Sequence, residues 1–197
     1  MARPLTGTAP RPDTGDLLLV AAGDAAAERR LLERWRRPVY TVLERMLDPT
    51  PAADAAAAVF EALFRSAARF DPKASFPARL WGLVAREASR PPAAGLLTIP
   101  AARLKESAAA QVAIQRAAVA ALPPGDRAAF LLARVAKQPL PVVAEALGTS
   151  EGEVRRRLVR AFESLAASLQ PLLNPRDDLD RTPASEVPDA GRDEAGP

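Results

Sequence analysis

Between Gln138 and Leu169 the chain reads QPLPVVAEALGTSEGEVRRRLVRAFESLAASL, and no other stretch constrains the fold as much. Val142, Val143, Ala144 and Leu147 supply an apolar side for one short helix. Gly148 then stands where the chain must turn, a position suited to the one residue with unhindered access to positive φ. Ser150 followed by Glu153 spells an S-x-x-E capping box, in which hydroxyl and carboxylate each satisfy a backbone N–H of the first turn. Val154, Leu158, Ala161 and Leu165 recur at i, i+4, i+7 and i+11, so they line one face of a second helix. The pattern is that of a helix-turn-helix, with Arg155, Arg156, Arg157 and Arg160 off its apolar face.

Two readings of these arginines stay open. They could be the solvated side of a basic helix, or the side chains of a recognition helix whose guanidinium forks reach phosphate oxygens or pair bidentately with guanine edges in the major groove. Their clustering directly after a turn favours the second. Ser150 and Glu153, at the start of the same helix, join them as candidate DNA-contact residues.

The 197 residues contain neither cysteine nor histidine. Disulfides, thiolate metal sites and cysteine nucleophiles are thereby excluded, and the commonest metal ligand and general base is missing. No Ser/Lys/Asp cluster or phosphate-cradling glycine loop stands in for them, so no enzyme, metal or cofactor is expected. No apolar run approaches the roughly 20 residues that span a bilayer, and MARPLTGTAPRPDTG lacks the apolar core of a secretory signal. A cytoplasmic protein without membrane insertion is the expectation. Charge is unevenly placed: from Pro171 to Pro197 three arginines face seven acids, so with +3 overall the preceding 170 residues carry +7. A basic body favours a polyanionic partner. The acidic, proline-rich tail over 171–197 has no aromatic residue to bury and is expected to be disordered, as is 1–13.

The remaining chain reads as helices at about 14–22, 24–47, 51–69 and 76–89. Leu31, Leu32, Trp35, Val39, Val42, Leu43 and Met46 keep a helical period in the second, with Pro38 as an expected kink. Thr50 is the expected cap of the third, with Pro51 at its first position, and Ser75 the expected cap of the fourth. Pro91-Pro92, Gly95 and Pro100 give 91–101 the composition of a linker. A helix over 102–121, the break at Leu122-Pro123-Pro124 and a helix through Phe130, Leu131 and Val135 lead into the helix-turn-helix. Nowhere does a stretch alternate as a strand does. The expected fold is all-α, with two small helical domains, 14–90 and 102–170, joined by a flexible linker.

The order of these features resembles the two-domain bacterial RNA polymerase sigma factors of the extracytoplasmic-function type. Leu122-Pro123 with Arg127, Val143-Ala144-Glu145-Ala146-Leu147-Gly148, and Ser150-Glu151-Gly152-Glu153-Val154 running on to Arg157-Leu158-Val159-Arg160-Ala161 match the family's second domain. In the first half Gly23-Asp24, Val39-Tyr40, Val59-Phe60, Phe70-Asp71 and Phe76 with Leu80-Trp81 fall at the family's spacings. The resemblance implies a non-catalytic factor whose first domain docks on the polymerase core and opens the promoter near −10, while its second reads the −35 element. It implies promoter contacts at Ser150, Glu153, Arg155, Arg156, Arg157 and Arg160, and promoter opening at Trp81 and Arg86. Polymerase contacts would lie at Asp54, Ala57, Ala58, Glu61 and Arg65. The implied partners are core polymerase, promoter DNA and an anti-sigma factor.

The sequence departs from the family pattern in the third helix, where an acidic and glutamine-rich cluster gives way to Ala52, Ala53, Ala55, Ala57 and Ala58, with Asp54 retained. Methyl groups neither donate nor accept hydrogen bonds. A second function therefore stands beside the first: a sigma-like protein without productive core binding, acting as a DNA-binding regulator or a protein-binding adaptor.

Overall fold

The structure, a computed structural model, describes residues 12–90 and 108–173, with side chains as far as Gln170. The linker expected over 91–101 lies outside the described residues, as do 1–11 and 174–197. Regular structure among the described residues is entirely helical. Helices α1 (Pro12–Ala21), α2 (Ala25–Leu43), α3 (Pro49–Arg65) and α4 (Phe76–Ala88) form the first block, with a 3-10 turn at Ala67–Arg69. Helices α5 (Ala108–Ala121), α6 (Pro124–Phe130), α7 (Leu140–Ala146) and α8 (Glu151–Leu173) form the second. A π-helical segment, Leu131–Val135, extends α6.

The starts of the helices follow local chemistry. Asp24 caps α2 by accepting from the N–H groups of Ala26 and Ala27 at 2.8 and 3.1 Å, and Ser75 caps α4 through Ala78 N–H at 3.3 Å. The expected Thr50 cap is corrected: α3 begins at Pro49, which takes the first-turn position itself, so Asp48 is the N-cap and Thr50 lies inside the first turn. Pro38 sits inside α2, which runs past it to Leu43. The helix expected through Leu131 and Val135 widens instead, with Ala136 N–H bonding to Leu131 C=O at 2.9 Å, and ends in a left-handed Lys137 at φ +52°.

Leu17, Leu31, Val39, Leu43, Phe76, Leu80 and Trp81 fill the first block, each essentially removed from solvent. Trp35 meets Trp81 nearly edge-on at 6.1 Å between ring centroids and Phe76 at 5.7 Å, the offset geometry that aromatic quadrupoles favour. Neither indole N–H finds a hydrogen-bond partner. Asp16 on α1 accepts two hydrogen bonds from Arg30 of α2, at 2.9 and 2.7 Å, tying the first helix down.

The two blocks are packed together, and one continuous apolar cluster runs from Leu17 through Trp81 to Leu131, Val143 and Leu158. α4 is the hub: Phe76, Ala78, Leu80, Trp81, Leu83, Val84, Ala85, Glu87 and Ala88 are all buried, because α3 covers one side and α6 and α7 another. Two arginines clasp the junction. Arg127 on α6 is 2% exposed. Its guanidinium donates to the carbonyls of Ala88 at 2.6 Å and Arg90 at 3.1 Å in the first block. It also donates to Leu122 C=O at 3.3 Å and to Ala120 C=O in its own block. These groups sit at the C-terminal ends of α4 and α5, where unpaired carbonyls and the helix dipole both favour a cation. Burial lowers the Arg127 pKa. On α5, Arg116 donates to Glu44 C=O at 2.8 Å and to Asp48 at 3.2 Å.

Candidate nucleic-acid interface

The turn between α7 and α8 forms as its residues dictate. Gly148 takes φ +59°, and Leu147 N–H and Thr149 N–H bond back to Val143 and Ala144 carbonyls at 3.0 and 2.9 Å. Val143 and Ala144 on α7, with Val154, Leu158 and Ala161 on α8, are buried, and Leu165 packs against them in part. Ser150 Oγ accepts from Glu153 N–H at 3.2 Å, which makes one half of the capping box. The Glu153 carboxylate, expected to close the other half, is drawn away by arginines one turn further on.

Each of the four arginines has an acidic partner. Arg155 meets Glu151 at 3.2 Å and Arg156 meets Glu153 at 2.8 Å, with the two guanidinium side chains 63% and 68% exposed. Such exposed pairs are worth little and exchange readily for phosphate. Arg157 is held differently: it donates to Glu153 at 3.2 Å, and its Nη1 would lie 3.3 Å from a Cβ placed on Gly125, so it runs closely over the first turn of α6. Arg160 makes a bidentate pair with Asp126 at 3.0 and 2.8 Å, and Asp126 is buried. Arg160 therefore fastens α8 to α6 through charge-assisted bonds, while Arg157, paired within α8, packs its side chain over α6. Sequence reasoning misses both Asp126, whose distance to Arg160 is set only when α6 and α8 pack, and Glu151, which the i,i+4 spacing to Arg155 within α8 does signal.

Glu153 collects Arg156, Arg157 and Arg160, and its carboxyl is held below the usual glutamate range, first by the bond from Arg156 and then by that from Arg157. With the folded pKa depressed, its stabilising contribution is present above the unfolded glutamate pKa and lost as pH falls through the folded one. A carbon-detected NMR titration of the Glu153 side chain should give a midpoint below about 4.3. A midpoint at or above that value would remove the network from solution.

The same helix exposes Val159 at 57% and Phe162 at 43%. Phe162 lies edge-on to Phe130 at 5.8 Å, with the Arg134 guanidinium 5.0 Å over its ring.

The other sequence candidates fall in the first block. Trp81 is 1% exposed, within the core, so in this arrangement its ring is out of reach of an unpaired base. Arg86 is exposed and lines a groove with Arg69, Arg79, Glu145 and Ala146, where α4 meets α7. On α3, Asp54, Ala57, Glu61 and Arg65 are exposed and Ala58 is half-buried; Glu61 and Arg65 pair with each other at 3.1 Å. Ala53, Ala57, Phe60 and Phe64 also face Leu32 and Tyr40 across an apolar groove of about 560 Å³, with Arg36 and Arg37 on its edge. Among the described residues no group of acidic side chains could hold a metal, and no helix is long and apolar enough to cross a membrane.

A helix-turn-helix with an arginine-rich second helix defines a DNA-binding class of module. Residues 114–165 match the family described as Sigma-70, region 4, and the second block is accordingly a region 4 helix-turn-helix. The chain is similar in fold to CnrH as solved in complex with the cytosolic domain of CnrY, with a TM-score of 0.64 and 23% identity. That likeness covers 81% of this chain and 98% of the other. No curated protein sequence matches the chain.

Proposed function

We propose that the protein is a sigma factor of the extracytoplasmic-function type, which brings core RNA polymerase to particular promoters in the cytoplasm. The observation that carries this reading is the region 4 match over 114–165, joined to a recognition helix that holds Arg155 and Arg156 out to solvent. The first block supports it by resembling, with the second, the whole length of a solved protein of the same fold. CnrH is seen bound by the cytosolic domain of another protein, which supports a regulatory protein partner of anti-sigma type for this chain as well. Purified core polymerase and a library of genomic promoter fragments provide the test. Promoter-specific transcripts that depend on the added chain are expected, and their absence with a competent polymerase would defeat the proposal.

The arginine geometry divides the DNA contacts. Replacing Arg155 and Arg156 together by alanine should weaken promoter binding and flatten its log–log salt dependence by about two units while leaving stability unchanged within about 0.5 kcal/mol. Arg160→Ala should instead strand the buried Asp126 carboxylate and lower stability by about 1.5–3 kcal/mol. Paired anisotropy titrations and urea denaturation separate the two. An unchanged salt slope in the double variant would leave these arginines as a solvated face.

The alternative function, an adaptor or DNA-binding regulator without core binding, is favoured by one observation. The α3 surface at Ala53 and Ala57 forms an apolar groove where hydrogen-bonding side chains would suit a polymerase contact.

A further inference from the structure

The apolar stripe of α8 outruns its cover. Val154, Leu158 and Ala161 are buried, but Leu165 and Leu169, next on the same face, are only half-buried. They open onto a groove of about 530 Å³ shared with α2, α5 and the π-helical end of α6, within the roughly 300–1,000 Å³ of clefts that hold ligands. Val112, which is 45% exposed, and Phe130 continue its apolar floor. The rim is cationic: Arg45, Arg116, Arg134 and Lys137 stand there against one carboxylate, Glu44. Asp48 already meets Arg116 at 3.2 Å, and Arg134 lies over the Phe162 ring. Arg45 and Lys137 are exposed and make no ion pair among the described residues.

An occupant of this groove needs an apolar group flanked by negative charge. A phosphate backbone would meet the cations but leave the apolar floor uncovered. The chain itself carries the required pattern a few residues on: after Leu173, the last residue described, it reads Asn174-Pro175-Arg176-Asp177-Asp178-Leu179-Asp180. Leu169, on the groove, lies one helical turn, about 6 Å, before Leu173. The six residues from Leu173 to Leu179 reach up to about 20 Å, enough to bring Leu179 back over that floor.

We propose that the acidic segment 174–189 docks in this groove on its own chain, with Leu179 on the apolar floor and Asp177, Asp178 and Asp180 toward the arginine and lysine rim. Such a segment is too polar to order itself. Tethering raises its local concentration to about the millimolar range, so weak contacts suffice. Docked, it neutralises a basic face of the body, and other polyanions reach that face only in competition with it.

The probe is a fluorescein-labelled synthetic peptide of residues 174–189, titrated at low salt and read by anisotropy. The intact chain should bind it poorly, because its own segment competes. The full chain carrying Asp177→Asn, Asp178→Asn, Leu179→Ser and Asp180→Asn should bind it about tenfold more tightly. Adding Arg45→Gln and Lys137→Asn, both at exposed positions, should abolish that gain. A peptide with Leu179→Ser should bind the tail-substituted chain at least about fivefold more weakly than the natural peptide. Equal binding by intact and tail-substituted chains overturns the proposal, as does a peptide that binds neither. Binding that ignores the groove substitutions or the leucine is charge attraction alone and overturns it too. An intact chain that sediments as a dimer, and as a monomer once the tail is substituted, would make the occupant the tail of a second copy and overturn docking within one chain.

Discussion

Exchanging Arg127 for methionine should lower the free energy of unfolding by about 3–5 kcal/mol, making it among the most damaging single substitutions in the chain. The guanidinium is 2% exposed and donates to four backbone carbonyls, two in each block. Methionine fills much of the volume of the aliphatic stem but offers no donor, and each dry carbonyl left without one costs about 1–3 kcal/mol where water cannot replace it. Lysine is no rescue. Its compact ammonium has three donors, and it cannot span carbonyls that lie on opposite sides of a planar fork, so Arg127→Lys should recover less than half of the loss. Urea denaturation, read as the midpoint shift at constant slope, measures both. A methionine variant within about 1 kcal/mol of the parent would mean that these carbonyls rehydrate, and that the junction is wetter than its packing implies.

The second large effect lies on α3. Under the sigma-factor reading, Ala53→Glu, Ala57→Gln and Ala58→Glu together should tighten binding to core polymerase. Three net hydrogen bonds at about 0.5–1.5 kcal/mol each correspond to roughly ten- to a thousandfold. Ala53 and Ala57 are exposed and accept the longer side chains freely, whereas half-buried Ala58 must direct its carboxylate outward. Fluorescence titration against purified core decides the matter. A triple variant that binds more weakly than the parent would identify the apolar groove between α2 and α3, with Phe60 and Phe64 at its floor, as the docking surface. If parent and variant both fail to bind core, the adaptor or regulator reading takes over.

What could be read from residue order alone was whatever is decided within a few residues. Gly148, the Ser150 cap and the apolar period of α8 are local, and the helix-turn-helix formed where they placed it. The Thr50 expectation missed by two residues because Pro49 and Pro51 both suit a first turn, and only the packing of Ala52 into the core chooses between them. The fates of the arginines were not readable. Arg156 and Arg157 are adjacent and chemically identical, yet one is largely exposed and the other runs over Gly125, a difference set by how α8 crosses α6. Arg127 reads in the sequence as one letter of a short pattern; its role depends on carbonyls 37 and 39 residues earlier, which no local rule reaches. The same holds for Gly82, which resembles helix filler until the Ala146 carbonyl of α7 is laid against it.

The placement of Trp35 against Trp81 carries an optical consequence. The chain has two tryptophans, Trp35 and Trp81, and one tyrosine, Tyr40, and all three belong to the first block. Indoles 6.1 Å apart and nearly perpendicular exchange excitation far faster than they emit, so they behave as one chromophore, with Trp81 buried and Trp35 half-buried beside it. The native protein should emit in the blue and show a strong near-ultraviolet dichroic band, both reporting on α2 and α4 alone. The recognition helix is dark at these wavelengths. An emission-monitored melt therefore follows half of the molecule, and comparison with far-ultraviolet dichroism, which sees every helix, separates the melting of the two halves without any label.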